Sequence, residues 1–305
     1  MGVNSKDLRL LLKLAERGLI KRRGKIVEIG AQQLSNDFLR ARNLVQKAES
    51  TFAAEHAFKL AHPQFIGIGV DGIELQSDTM PFARDFWTAL GFTYAAIDVD
   101  GSPDSIALDL NVDEVPRTLR SEFDLVTNLG TTEHVCNQLN AFKVIHDLAA
   151  PGAVMIHHLP GGGGLDHGLF NYNPKFFWVL ARSNDYGWLY ADYSGGPDLY
   201  DIPKDIRDFV SEYEPAAAAQ LSVQKIGTYS IQIAFKKLHD IPFVPPIDVP
   251  TGTKASNAEL KWRYWTVFQP NLLEAVKSGR APAELEALFS TNEVESDGDN
   301  GTGQH

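Results

Sequence analysis

Between residues 93 and 238, short apolar runs alternate with longer amphipathic ones, and that alternation constrains the chain more than any other feature. "TYAAIDVDG", "SIALDLN", "FDLVTNLG", "AVMIHHLP", "WLYADYSG" and "TYSIQIAFKKL" read as strands, while "TTEHVCNQLNAFKVIHDLAAPG", "NPKFFWVLARSNDYG" and "IPKDIRDFVSEY" read as helices. Upstream, "KIVEI" supplies one more strand and "MPFARDFWTALGF" one more helix, with Pro81 in its first turn and Gly91 at its end. Strands that alternate with helices of this length build an α/β, doubly wound, Rossmann-like sheet of seven strands with helices on both faces.

The flanks divide by composition. Residues 1–24 form an N-terminal helical extension, with Leu8, Leu11, Leu12 and Leu14 at helical spacing. Residues 25–238 are the sheet domain. Within it, 35–79 reads as a helical insertion after the first strand, capped by Ser35 or Asn36, irregular beyond residue 61, and a candidate lid. Residues 239–289 make a Pro-rich arm and C-terminal helices, and 290–305 is acidic, without apolar anchors, and expected to be disordered.

The chain has 305 residues and a formal charge of -11, which argues against a nucleic-acid surface. The basic cluster Lys21, Arg22, Arg23 and Lys25 is too short to make one. Cys136 is the only cysteine, so neither an intrachain disulfide nor a Cys-rich zinc site is available. No apolar run reaches the roughly 20 residues of a membrane span. The expectation is a cytoplasmic protein that binds neither nucleic acid nor membrane, with its oligomeric state open.

In an open α/β sheet, ligands gather where the strands end. Those ends are rich in carboxylates here: Glu28 before Gly30, Asp98 and Asp100 before Gly101, and Asp109 before Asn111. The turn after the first strand, Gly30-Ala31-Gln32-Gln33, lacks the further glycines that a dinucleotide pyrophosphate needs. Carboxylates suit a cofactor with hydroxyls, an exocyclic amine and a cationic arm.

Taken in order, "VEIGAQ", "YAAIDVDG", "ALDLN", "FDLVTNLGTTEHV", "LAAPGAVMIHHLP" and "YSIQIAFKK" resemble the class I, Rossmann-like S-adenosylmethionine-dependent methyltransferases over about residues 25–238. The resemblance implies S-adenosylmethionine as cofactor. It implies Gly30 and Ala31 against the methionine moiety with Glu28 supporting the turn, Asp98 on the ribose, Asp109 and the Leu110 backbone at the adenine amine, and Asn128 lining the methyl-transfer face. The activity it implies is transfer of a methyl group to an oxygen or nitrogen of a small-molecule or sugar-like acceptor. The alternatives are a catalytically silent methyltransferase-like binding protein and, further off, an NAD(P)-dependent oxidoreductase.

Each residue also has a plainer reading. Gly30 serves any tight turn, and either Asp98 or Asp100 can cap the turn at Gly101. Asp109 can be a turn aspartate, and Glu133 simply a favourable charge at a helix start. The general-base candidates are His158, His134 and His167. His157 and His158 point to opposite faces, so one of them at most reaches the site. "GGGGLDHG" (161–168) reads as a mobile loop over the acceptor, with Asp166, His167, Phe170 and Tyr172 as ligand-meeting groups. The spacing of His157, His158, Asp166 and His167 is not diagnostic of a metal, and none is expected. Trp262, Tyr264, Trp265 and Phe268 read as a packing seam.

Overall fold

The structure is a computed structural model and describes residues 2–54, 56–58, 65–68, 74–76, 81–100, 102, 104–162, 167–194 and 229–246. Among these, seven strands form one sheet: β1 (Lys25–Ile29), β4 (Thr93–Ile97), β5 (Ser105–Ile106), β6 (Phe123–Leu129), β7 (Ala149–Gly162), β8 (Gly187–Ser194) and β9 (Tyr229–Lys236). Their order is β5-β4-β1-β6-β7-β9-β8. The strands from β5 to β7 are parallel, and β9 runs antiparallel to both β7 and β8.

Two helical layers cover the sheet. On one face lie α1 (Ser5–Glu16), α3 (Arg42–Phe52) and α4 (Ala83–Ala89), which bury Leu8, Leu11, Phe52 and Phe86 against Ile26, Leu125, Ile156 and Ala234. On the other, α5 (Gln138–Leu148) and α6 (Pro174–Ser183) bury Phe142, Ile145 and Phe177 against Val27, Val126, Met155 and Phe235. Inner strands covered on both faces must be apolar almost throughout, which accounts for "IVEI" and makes Glu28 its exception.

Several sequence expectations change. α1 lies within the expected N-terminal helical extension and belongs to the layer that closes one face of the sheet. It is fixed by a capping box in which Asn4 accepts from the Asp7 backbone N–H and the Asp7 carboxylate accepts from the Asn4 N–H. Among the described residues of the insertion, helix is found in its first part: α2 (Asn36–Arg40), capped by Ser35, breaks at Ala41, and α3 ends at the left-handed Ala53. Beyond it, β2 (Phe65–Ile68) and β3 (Glu74–Gln76) pair as an antiparallel ribbon where the sequence reads as irregular.

Pro81 precedes α4 instead of lying in its first turn. Glu133 and His134 do not open α5 either. They sit on a separate 3-10 turn, Thr132–His134. α5 starts later, where the Asn137 side chain accepts from Asn140 N–H, while Gln138 donates to the Thr132 and Val135 carbonyls of the turn.

After β9, residues 241–246 lie along the α5–α6 face. His146 Nε2 is 2.6 Å from the Ile241 carbonyl, and Asn184 exchanges two hydrogen bonds with the Val244 backbone. The helix expected at 202–213, the C-terminal helices with their aromatic seam, and the 290–305 tail lie outside the described residues.

Candidate functional site

β1 pairs in parallel with β4 on one side and β6 on the other, so the strand order reverses there, and the turns after β1 and β6 border the crevice in which such sheets bind ligands. Gly30 takes φ 79° in the first of these turns and donates to the Ile97 carbonyl at 2.8 Å. Ala31 N–H donates to Asp98 Oδ2 at 2.9 Å, tying the β1 turn to the end of β4. The other Asp98 oxygen accepts from Asp100 N–H at 3.1 Å. Asp100 closes its own turn, accepting from Ser102 N–H at 2.8 Å and Ser102 Oγ at 2.7 Å, and these bonds hold its carboxyl below the usual range. Of the two aspartates, Asp100 caps only its own turn, while Asp98 joins that turn to the one after β1.

A Cβ on Gly30 would stand 2.4 Å from Thr131 Oγ1, so the glycine leaves room for a side chain of the opposite turn. Thr131 Oγ1 donates to the Ile29 carbonyl at 2.6 Å and accepts from Gln32 Nε2 at 2.9 Å. Neither Thr131 nor Gln32 carries a sequence signal for this bridge, since each looks like an ordinary polar turn residue.

Glu28 is fully buried. Its carboxylate accepts from Trp87 Nε1 at 2.7 Å, Tyr94 OH at 2.8 Å and Gln32 N–H at 3.3 Å. Burial raises its pKa to about 7, against the pull of those three donors and with the Asp7 carboxylate adding to the rise. Glu28 thus pins the turn from beneath and faces the layer of α1 and α4.

Asp109 lies beyond β5, which stops at Ile106. Its Oδ1 accepts from both the backbone and the side-chain nitrogen of Asn111, at 2.8 and 3.0 Å, as a turn aspartate does. The following Leu110 is buried, and its carbonyl accepts from Asn140 Nδ2 at 3.0 Å. Asn128 is buried as well, with Nδ2 2.9 Å from Thr132 Oγ1 and 3.3 Å from His157 Nδ1. Tyr172 OH completes this cluster, donating to Thr132 Oγ1 at 2.9 Å or to Gln138 Oε1 at 2.6 Å. Asn128 and Tyr172 therefore shape the turn after β6 from the α5 side.

The histidines separate. His157 faces α5 and α6 among Phe142, Phe177 and Phe235, where burial pushes its pKa down to about 3 and keeps it neutral. His158 faces α1, with Nδ1 2.6 Å from Asp7 Oδ1 and Nε2 2.8 Å from Ser230 Oγ. Both of its ring nitrogens are engaged. Asp7 and Ser230 were not legible as its partners, because the capping box already accounts for Asp7 and Ser230 lies in an ordinary alternating strand.

His134 and His167 converge on a third residue, Glu133, with Nε2 atoms 3.9 and 3.7 Å from Glu133 Oε1. The two imidazoles are half exposed while Glu133 is fully buried, and burial raises its pKa. The chain beyond β7 is docked on Glu133 by Leu169 and Phe170 N–H groups, which donate to its carbonyl at 2.7 and 3.2 Å. The first two glycines of "GGGGLDHG" are strand residues, not hinges. A Cβ on Gly161 or Gly162 would stand 2.2 or 2.5 Å from the Tyr229 ring, so their bareness lets that ring cross the strand. Residues 163–166, Asp166 included, lie outside the described residues. Phe170 is exposed and Tyr172 buried.

Six parallel strands reversing order at β1, with one antiparallel strand set between the last two, form a doubly wound, Rossmann-like sheet. No protein-family model and no curated protein matches the chain. Among solved structures it is similar to the 1,6-didemethyltoxoflavin-N1-methyltransferase of Burkholderia thailandensis, solved with 1,6-didemethyltoxoflavin and S-adenosylhomocysteine. The identity there is 12% over 76% of this chain and 78% of that one, with a TM-score of 0.39. It is also similar to a putative sarcosine dimethylglycine methyltransferase from Galdieria sulphuraria, at 10% identity over 76% and 85% and a TM-score of 0.40. A third is the [4+2]-cyclase SpnF, at 10% over 78% and 84% and a TM-score of 0.37. Likeness at this level carries no argument about activity, and a shared fold does not name a reaction.

Among the described residues no helix is long and apolar enough to cross a membrane.

Proposed function

We propose that the chain is an S-adenosylmethionine-dependent methyltransferase acting on an oxygen or nitrogen of a small-molecule or sugar-like acceptor. One observation carries the reading: the Gly30–Ala31 turn is tied to Asp98 at the reversal point of the sheet, so a glycine turn and a half-buried carboxylate border one crevice. The donor set fits the cofactor. Each Asp98 oxygen has one backbone partner and keeps a lone pair for a ribose hydroxyl, and a single-glycine turn suits a ligand without phosphate. Asp109 and the Leu110 backbone would face the adenine.

When bound, the cofactor supplies an already activated methyl group. What remains for the chain is to align the acceptor and keep water out. Asn128, Thr132 and Tyr172 hold the turn after β6 rigid on the transfer side. His158, whose ring nitrogens are both engaged, is not placed to take a proton from the acceptor.

A second reading, a binding protein that transfers nothing, draws support from the Gln32–Thr131–Ile29 bridge, which spans the turns on either side of the crevice. Calorimetric titration with S-adenosylmethionine, S-adenosylhomocysteine and NAD separates the readings. The methyltransferase requires the first two to bind and NAD not to. Heat from NAD alone would make the chain an oxidoreductase candidate, and heat from none of the three would favour the binding protein.

A further inference from the structure

We propose that Glu133, His134 and His167 form a binding site for a divalent transition-metal ion of the zinc, cobalt or nickel kind. The three side chains each offer one ligand atom, and these atoms all lie within 4.8 Å of one another. A tetrahedral ion with bonds of about 2.1 Å holds its ligands about 3.4 Å apart. The present spacings of 3.7 and 3.9 Å from Glu133 Oε1 to the two imidazoles are within a few tenths of an ångström of this, while the widest separation in the cluster, up to 4.8 Å, needs up to about 1.4 Å of closure. The half-exposed histidine side chains can supply that.

The independent observation is the state of the carboxylate. Glu133 has 0% exposure, and among the described residues neither of its oxygens has a hydrogen-bond partner, nor does the buried Nε2 of His167. A buried carboxylate without donors is costly, and such groups in folded proteins are paired or bound to a cation. Here two carboxylate oxygens and an imidazole nitrogen face one space, with His167 Nε2 3.7 Å from Glu133 Oε1 and beyond hydrogen-bond reach of it. A cation satisfies all three at once.

The backbone holds the ligands in place. Glu133 and His134 share a 3-10 turn one residue pair beyond β6, and His167 arrives on the segment whose N–H groups bind the Glu133 carbonyl. Gly168 takes φ 73° there, and a Cβ on it would stand 2.9 Å from Glu133 Cγ, so a larger residue would push the two ligand-bearing segments apart. Two imidazoles and one carboxylate select borderline ions over calcium or magnesium, which favour all-oxygen shells. Three protein ligands leave a fourth position for water or for an oxygen of a bound molecule. The binding of the ion stands whether or not the chain transfers methyl groups.

The test uses the untagged full chain, stripped with chelator and titrated with Zn2+ and Co2+ by calorimetry and by the visible absorption of bound Co2+. One ion per chain is expected. Glu133→Gln and, separately, His167→Ala should each weaken it by at least about tenfold, the loss that follows removal of even a supporting partner. His167→Ala alters a half-exposed side chain, so its circular dichroism should match the parent and keep the test valid if Glu133→Gln folds poorly. Failure of the parent chain to take up either ion would overturn the site, as would uptake that His167→Ala leaves undiminished.

Discussion

Asp7 Oδ1 lies 2.6 Å from His158 Nδ1, joining the first turn of α1 to the end of β7 across 151 positions of chain. Gln232 Nε2 donates to the same Asp7 oxygen at 2.9 Å, so one carboxylate serves the neighbouring strands β7 and β9. α1 is thereby keyed to the sheet by a polar contact set into an apolar seam of leucines. A seam of leucines alone specifies contact but little register, and the Asp7–His158 pair fixes which turn of the helix meets which strand end.

Replacing Asp7 by alanine leaves His158 and Gln232 buried with a lost partner each and removes half of the capping box. The expected loss is about 3 kcal/mol of unfolding free energy, read from urea midpoints. Asp7→Asn should cost clearly less, because its amide oxygen still accepts from both partners. Equal losses for the two variants would mean that helix capping, not the pair, dominates.

Glu28 should make stability depend on pH. Its carboxyl takes up protons more readily in the folded chain, at about 7, than at the ordinary value of 4.5, because burial disfavours the charge. Its contribution is therefore complete below 4.5 and is lost as pH rises through about 7, a difference worth roughly 3 kcal/mol. Glu28→Gln, which cannot ionise, should flatten that part of the curve. Parallel stability–pH profiles for parent and variant would show that Glu28 is not the group responsible.

Gly30→Ala should be destabilising by about 3 kcal/mol, combining a left-handed backbone with a Cβ driven into Thr131. Thr131→Ala removes the obstructing atoms, so the double variant should be more stable than the sum of the single losses predicts. Strict additivity, measured by thermal or urea unfolding of all four chains, would place the cost in the backbone alone.

Asp98→Ala should weaken S-adenosylmethionine by roughly 10 to 150-fold, the loss expected for hydrogen bonds to a charged acceptor. Asp100→Ala should change affinity far less, since both Asp100 oxygens already serve Ser102. Calorimetry on the two variants decides between the aspartates, and the reverse ranking would move the ribose contact to Asp100.

The strands could be read from their apolar runs because β1, β6 and β7 are covered on both faces and tolerate few polar residues. The opposite orientations of His157 and His158 followed from the period of a strand. The strand expected over "SIALDLN" stops at Ile106, because the chain turns at Asp109 to satisfy Asn111 while the apolar run continues. Glu133 reads as the start of a helix by sequence, because a 3-10 turn and the helix after it share the same local propensities.

Strand period, helix faces and turn chemistry are set within a few residues of each position, and so the alternating order of elements and the carboxylates at strand ends were already present in the chain. Which imidazole meets which carboxylate was not. His158 finds Asp7 because α1 packs over β7, and His167 finds Glu133 and His134 because the chain after β7 folds back onto the turn after β6. Gly161 and Gly162 signalled freedom by type, yet the Tyr229 ring from a strand far along the chain requires their bareness. These pairings depend on the stacking of layers and the crossing of strands distant in sequence, where burial removes water as the alternative partner and leaves each polar group to the neighbour the fold provides.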